Sequence, residues 1–406
     1  MKILILTTTF PKDQKDYGTP RFVYDIAKNI ADRNIKTIVL TPDRPNSKIK
    51  IEKYTDKFYA LRYRYFIKNK QYLTSGEGII PSIRKSKGNL VLLPFLIIGQ
   101  LVHSLKLIKK EEINIINSHW LVPSGFTGAL IQKFLKKKNY VTIHAAALYL
   151  LERIPLGNRI AKFIYNNSTR IFIVSNFGKK QFYKLLNIKD KASYNAKVKT
   201  IPMGIYVDKF NEERNTIAFP ENSYNIIFLG RLVEKKGLVY AIEAIKYMQN
   251  SNINLHICGG GPLKNELEEM VEKYNLSQKI KFYGYISENE KINYFNSADI
   301  LLVPSIETPE GDKEGLPVVI LEALSAGLPI IATNVGGIKD GVINNYTGKL
   351  IEQKNSESII NAICELRNNK ELYNDIRVNC KKYAKKFDWS KIADKYLEEI
   401  ISSYNE

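Results

Sequence analysis

With 406 residues the chain is too long for one ordinary hydrophobic core, and a hydrophobic content of 44% is enough to fill two. That composition excludes a disordered chain. The three cysteines, Cys258, Cys364 and Cys380, have no CxxC or ligand-like spacing, which argues against a disulfide framework and points to reduced thiols in a cytoplasmic protein. The formal net charge of +20 is unevenly spread: residues 1–200 hold 37 Lys and Arg against 12 Asp and Glu, the remainder 24 against 29. So basic a first half suits an anionic membrane, a phosphorylated substrate or nucleic acid, or serves solubility alone.

Met1–Leu6 is apolar, but Lys2 follows the start and no small-residue cleavage site comes after it, so a β-strand is expected at Lys2–Thr8 and no signal peptide. A helical apolar pattern (Phe22, Val23, Ile26, Ala27, Ile30) spans Pro20–Ala31, and Lys36–Leu40 reads as a strand. A tyrosine- and lysine-rich insertion follows, expected to be irregular, with Tyr59–Tyr72 at its centre. The most apolar window, Leu90–Ile98, is interrupted by Pro94 and then by Gln100, His103 and Ser104. It falls short of about 20 apolar residues, so a spanning helix is rejected. With Lys85 and Lys87 before it and Lys106, Lys109 and Lys110 after, Leu90–Lys110 suits a helix lying on a surface.

Strand–helix alternation then resumes. Ile113–Asn117, Tyr140–His144, Arg170–Val174 and Lys197–Ile201 are expected strands, and Gly125–Lys136 an expected helix. Pro202–Ser223 is polar and turn-rich and reads as a linker. Afterwards strands are expected at Asn225–Leu229, Asn254–Cys258, Lys279–Tyr283, Ile300–Val303 and Pro329–Thr333. Helices are expected at Gly237–Met248, Pro262–Lys273 and Pro317–Ser325, and one more opens with a Ser287/Glu290 capping box. Two helices fill Ser356–Lys386 and a last one follows Trp389. The pattern is α/β: two doubly wound, Rossmann-like domains, residues 1–203 and 204–386, with residues 387–406 as a terminal helix. A cleft between the carboxyl ends of two such sheets is where ligands of this architecture bind.

The most specific motif is Glu314-Gly-Leu-Pro-Val-Val-Ile-Leu-Glu322. Pro317 suits a first helical turn, which leaves N–H groups around Leu316, Val318 and Val319 facing a diphosphate at the positive end of the helix dipole. Glu322 lies about 7 Å further along the axis than Glu314 if the helix is ideal, so the two carboxylates flank that site and can grip sugar and ribose hydroxyls. Arg231 and Lys236, in Gly230-Arg-Leu-Val-Glu-Lys-Lys-Gly237 directly after a strand, can neutralise a diphosphate and its developing charge. Gly259-Gly-Gly-Pro262 allows close backbone approach but is not GxGxxG. In the first half, Gly18 lies in a strand-to-helix loop, and His119 and His144 lie at strand ends, His144 being the better candidate for ligand contact. His103 and His256 are expected to be structural. No Asp-x-Asp or His/Cys cluster indicates a metal.

These residues resemble glycosyltransferase family 4, whose members are retaining enzymes of GT-B fold with two facing Rossmann-like domains. The resemblance runs from Phe10-Pro11, Gly18-Thr19 and Phe22-Val23 through Ser118-His119-Trp120, Ile143-His144 and Ile201-Pro-Met-Gly204 to the Glu314/Glu322 segment, Gly336-Gly337 and Phe387-Asp-Trp389. It implies a nucleotide-sugar donor, UDP- or GDP-linked, no metal or other cofactor, and a lipid-linked or polysaccharide acceptor in cell-surface glycan synthesis. It implies that Arg231 and Lys236 hold the diphosphate with the Gly315, Leu316 and Val318 segment, that Glu322 holds the ribose and Glu314 the sugar, and that Gly260 and Tyr285 lie at the base. Gly18 would approach the donor, and His144 would be the active-site histidine. The implied catalytic group is His144, Arg231, Lys236 and Glu314. Ala145-Ala-Ala147 replaces the family's usual Gly and Asp after that histidine, so no carboxylate nucleophile is offered there. The basic half would rest on the inner face of the cell membrane. A phosphorylase of the same fold lacks a recognisable pyridoxal-phosphate lysine, and nucleic-acid binding lacks a supporting motif.

Overall fold

In the computed structural model the chain is described over residues 1–13, 16, 19–44, 50–74, 78–144, 148, 151–188, 195–210, 219 and 222–404. It divides into two compact units, Met1–Pro202 with Trp389–Glu406, and Met203–Asp388.

The first unit is built on an eight-stranded sheet. Its strands are β1 (Lys2–Leu6), β2 (Lys36–Pro42), β3 (Ile51–Lys53), β4 (Phe58–Tyr63), β5 (Ile115–His119), β6 (Lys138–Ile143), β7 (Arg170–Ile173) and β8 (Val198–Thr200), in the order 3-4-2-1-5-6-7-8. All pairings are parallel except β3 against β4. The near-continuous apolar run of β1 is what a parallel strand covered on both faces requires. The covering helices are α1 (Phe22–Ala31), α2 (Ile79–Lys85), α3 (Leu92–Glu111), α4 (Phe126–Leu135), α5 (Gly157–Asn166) and α6 (Asn176–Leu185).

Two expectations fail here. The insertion is not irregular: β3 and β4 extend the sheet, and Phe58, Ala60 and Tyr63 are buried. The apolar period of two was broken because the buried Arg62 takes the position after Phe58 and Ala60 on their face, while Tyr59 and Leu61 alternate half-buried between them. β5 also starts two residues later than expected, so His119 is the last residue of the strand, not a residue beyond it.

The second unit has a six-stranded, wholly parallel sheet of β9 (Tyr224–Leu229), β10 (Ile253–Cys258), β11 (Ile280–Gly284), β12 (Ile300–Val303), β13 (Ile330–Thr333) and β14 (Gly348–Ile351). Their order is 11-10-9-12-13-14, the 3-2-1-4-5-6 winding of dinucleotide-type folds, with the reversal between β9 and β12. β14, a short Gly-Lys-Leu-Ile strand, has no counterpart among the expected elements. The helices are α7 (Leu238–Tyr247), α8 (Lys264–Lys273), α9 (Glu288–Ser297), α10 (Val318–Ala326), α11 (Ser356–Asn368) and α12 (Lys370–Ala384). α9 has the capping box: Ser287 accepts from the Glu290 N–H while the Glu290 carboxylate accepts from the Ser287 N–H. The expected linker is no loose connection at its start, since Val207 and Phe210 are buried in the second core.

A last helix, α13 (Trp389–Tyr404), packs with the first unit. The Tyr140 hydroxyl donates to the Ile400 carbonyl at 3.0 Å, Lys138 Nζ to the Tyr404 carbonyl at 2.9 Å, and Arg33 Nε to Asp394 at 2.6 Å. Each unit is therefore a parallel-sheet Rossmann-like core, and the fold is of GT-B class.

Candidate active site

In the second unit the functional side chains gather on the loops after β9 and β12, the two strands that flank the reversal of winding. Lys235 and Lys236 close a tight turn after β9, ended by Gly237 at φ +64°. A Cβ at Gly237 would run into the Pro304 carbonyl oxygen, so only glycine lets the turn lie against the segment following β12. The Ile306 N–H, donating to the Lys235 carbonyl at 2.8 Å, ties the two loops together.

That tie brings the two charged motifs into one site. Lys236 Nζ lies 3.1 Å and Lys235 Nζ 3.8 Å from Glu314 Oε1, with the Glu314 side chain only 12% exposed. Burial raises the Glu314 carboxyl, but Lys236 first and Lys235 second outweigh it and hold it below its ordinary value, so it is a carboxylate at neutral pH. From behind, Gly336, at φ +60°, leaves no room for a Cβ beside the Glu314 carbonyl, which accepts from the Gly337 N–H at 3.1 Å.

α10 begins at Val318, and Pro317 is its N-cap, with φ −63° and ψ 132°. The sequence had placed Pro317 inside the first turn. The proline ring fixes φ but not ψ, and here an extended ψ lets the chain come in from Leu316, which is buried in the second core. The leading N–H groups of Val318 and Val319 still sit at the positive end of the helix dipole. Glu322, on the same helix, pairs with Lys291 of α9 at 2.6 Å, and Lys291 also reaches Glu288 at 2.7 Å. Burial alone would lower the Lys291 ammonium; Glu322 and then Glu288 override it and keep it charged.

The expected grouping of Lys236, Glu314, Gly315, Leu316, Val318 and Glu322 around the start of α10 is thus present in one unit, with Lys235 and Lys291 added. Arg231 is on the same loop and exposed. Gly260 and Tyr285 are neighbours: a Cβ at Gly260 would stand 2.7 Å from the tyrosine ring, which is 84% exposed. Lys291 carried no signal in the sequence, where it is one helix lysine among many.

The first unit holds a site of different chemistry. His119 ends β5, and His144 follows the end of the neighbouring β6. His119 Nδ1 is 3.3 Å from His144 Nε2, and His119 Nε2 is 3.0 Å from Asn117 Oδ1. Phe22 and Trp120 pack on His144, each with ring centroids 4.5 Å away. Burial pushes His119 down to about 3 and His144 well below its ordinary value, His119 adding to the second shift, so both are neutral. His119 thus belongs with His144, a partnership the sequence placed at strand ends without pairing. Gly18 and Ala145–Ala147 lie outside the described residues.

His256 is a satisfied core residue, as expected: Nδ1 bonds the Tyr283 hydroxyl and Nε2 Asn225 Oδ1, both at 3.0 Å. His103 is half-buried in α3, with Nδ1 on the Gly99 carbonyl at 2.8 Å.

The glycosyltransferase family 4 model matches residues 17–209, and the group 1 glycosyl transferase model matches residues 209–387. An uncharacterized glycosyltransferase of Methanocaldococcus jannaschii is 30% identical over 336 residues, covering 82% of this chain and 87% of that protein. The UDP-Gal:α-D-GlcNAc-diphosphoundecaprenol α-1,3-galactosyltransferase of Escherichia coli is 28% identical over 74% of this chain and 80% of its own length. Among solved structures, a sucrose-phosphate synthase from Thermosynechococcus elongatus superposes with a TM-score of 0.78 at 17% identity, over 100% and 99% of the two chains. Anabaena HepE in complex with UDP-glucose does so at 0.69 and 16%, over 99% and 100%. The two family models, the relatives and the two Rossmann-like units together define a glycosyltransferase of GT-B fold. The chain belongs to glycosyltransferase family 4, group 1 type.

Proposed function

We propose that this enzyme moves a hexose, with retention of configuration and without a bound metal, from a UDP- or GDP-linked donor to a hydroxyl of a lipid-linked or polysaccharide acceptor in cell-surface glycan synthesis. The observation that supports this most is the convergence of Lys236, Glu314 and the start of α10 after β9 and β12. Lys236, Arg231 and the leading N–H groups of α10 suit a diphosphate, Glu322 a ribose, Glu314 the sugar hydroxyls, and Gly260 with Tyr285 the base. From the first unit, His144 would contact the transferred sugar and Gly18 would approach the donor. The bond from the anomeric carbon to the diphosphate oxygen breaks, the acceptor oxygen bonds that carbon on the same face, and its proton passes to the leaving diphosphate. The cations stabilise the charge that develops on that group. The E. coli galactosyltransferase and the UDP-glucose complex favour a UDP-hexose among the donors.

The acceptor side is proposed to rest on an anionic membrane. Contrary to the expectation that this stretch is too short, Lys87–Glu111 is long and apolar enough to span a bilayer by length and composition, but one side of α3 is fixed in the core through Leu96, Gln100 and Ser104. The opposite side exposes Val91, Phe95, Ile98, Val102 and Leu105, with Lys106, Lys109 and Lys110 exposed toward its end. That arrangement suits a helix lying in the headgroup region better than one crossing it.

Melting curves with UDP- and GDP-hexoses, in chelator and in Mg²⁺, test the donor. At least one should raise the melting temperature equally under both conditions, and turnover with it should give a product of the donor's anomeric configuration. If no nucleotide sugar shifts the curve, the proposal fails. Phe95→Ser with Ile98→Ser should lower binding to vesicles of anionic lipid while leaving that donor shift unchanged; equal vesicle binding would remove the membrane assignment.

A further inference from the structure

The hydrogen bonds around the histidine pair form a chain whose polarity is set at one end. The Tyr140 carbonyl accepts from Asn117 Nδ2 at 3.1 Å. A carbonyl only accepts, so the Asn117 amide nitrogen must face it and Oδ1 must face His119. Oδ1 in turn only accepts, so His119 Nε2, 3.0 Å away, must carry a hydrogen. A neutral imidazole has one N–H, so His119 Nδ1 is bare and accepts. The group facing it at 3.3 Å, His144 Nε2, must then be the donor. A neutral His144 that is protonated on Nε2 has a bare Nδ1.

We infer that Asn117 and His119 are positioning residues that lock His144 as the Nε2–H tautomer, so that His144 offers its ligand a hydrogen-bond acceptor, Nδ1, and selects a hydroxyl there. The packing fits this assignment. Phe22 and Trp120 both pack on the His144 ring with centroids 4.5 Å away, which restricts its turning, and the tautomer is what decides which polarity it presents. Burial, which depresses the pKa of both rings, keeps the chain neutral, as its logic requires. Asn117, His119 and His144 are all buried, and β5 and β6 are paired in register at His119 and Thr142, so the geometry is built into the sheet. The selection of a hydroxyl rests on the glycosyltransferase reading; the tautomer does not.

The test separates the two. Long-range ¹H–¹⁵N spectra of the ligand-free protein labelled at histidine, at neutral pH, should show His119 and His144 both with protonated Nε2 and bare Nδ1, assigned with single His→Gln variants. A protonated Nδ1 on His144, or an imidazolium on either ring, overturns the inference whatever the enzyme transfers. In Asn117→Leu, which removes the fixed acceptor, His144 should become a mixture of tautomers. With the donor found by melting shifts, Asn117→Leu should raise KM for the nucleotide sugar about tenfold and leave the affinity for the free nucleoside diphosphate unchanged. An unchanged tautomer in Asn117→Leu, or equal effects on sugar nucleotide and free nucleotide, would reject the positioning role.

Discussion

The two units share a winding and place their functional groups after the same kind of strands, yet the two sites are electrostatic opposites. In the second unit carboxylates and ammonium groups face one another, the little-exposed Glu314 with Lys236 and Lys235, and the little-exposed Glu322 with Lys291, which also reaches the exposed Glu288. In the first, two imidazoles meet, His144 packed by Phe22 and Trp120, and burial keeps both neutral. The difference fits the roles proposed for the two sites. A diphosphate whose charge grows during reaction needs cations that are already in place and cannot lose their protons. A neutral sugar hydroxyl needs a directional acceptor, and a charge beside it would cost desolvation without a partner. The overall charge of the halves runs the other way, the basic half holding the neutral site. Among the described residues of the first half, Lys106, Lys109 and Lys110 of α3 lie exposed on its surface.

The sharpest way to break this contrast is to remove a charged member of the second site. Glu322→Ala should weaken binding of the free nucleoside diphosphate by about 10- to 150-fold, the worth of hydrogen bonds to a charged group, about 1.5–3 kcal/mol. Lys291 retains Glu288 at 2.7 Å, so the fold should survive, as circular dichroism would check. Calorimetry that finds an unchanged dissociation constant would take Glu322 out of the donor site.

The neutral site answers to pH. The folded-state pKa of His119 is lowered to about 3 from an ordinary 6.5, so the unfolded chain takes up the proton first as pH falls. Stability is complete above about pH 6.5 and is lost on acidification down to about 3, at about 2 kcal/mol for this residue between pH 7 and pH 5. His144 adds a loss of the same sign. Urea melts of the wild type should show this acid limb, and His119→Gln should flatten it. A limb identical in the variant would mean the ring is not held neutral.

How far the sequence foretold this depended on the range of each contact. The Glu314-to-Glu322 motif and the Ser287/Glu290 box are local, and both sit at the helix starts their patterns announce. The meeting of Lys236 with Glu314 crosses 78 residues and is made by Gly237 against Pro304, a packing fact with no pattern of its own. The same holds for Gly336 behind the Glu314 carbonyl, and for Lys291, whose partner lies 31 residues away. β3 and β4 were missed because the edge of the sheet carries exposed and charged side chains among its buried ones. Asn117 looked like one more strand residue, since its role requires knowing that Tyr140 lies beside it.

A smaller effect divides the functions of the two carboxylates. Glu314→Gln keeps the size of the side chain but frees Lys236 from its 3.1 Å partner. The affinity for free nucleoside diphosphate should stay level or rise, while kcat/KM for the sugar nucleotide should fall about tenfold, about 1.4 kcal/mol in transition-state binding. A parallel drop in free nucleotide affinity would merge the roles of Glu314 and Glu322.

The smallest expected difference lies within the lysine pair. Lys235 and Lys236 are adjacent in sequence and both approach Glu314, but Lys236 is at 3.1 Å with a side chain 14% exposed and Lys235 at 3.8 Å with 29% exposed and a second partner, Asp312, at 3.5 Å. A more exposed and divided contact is worth about 0.2–1 kcal/mol. Lys235→Gln should therefore change nucleoside diphosphate affinity by less than about fivefold, and the change should shrink as salt rises, because exposed charges are screened. Lys236→Gln should cost more and keep most of its effect in salt. Titrations at low and high ionic strength would decide it: if Lys235 matters as much as Lys236 at high salt, the site grips its anion with the whole turn and not with the one buried ammonium.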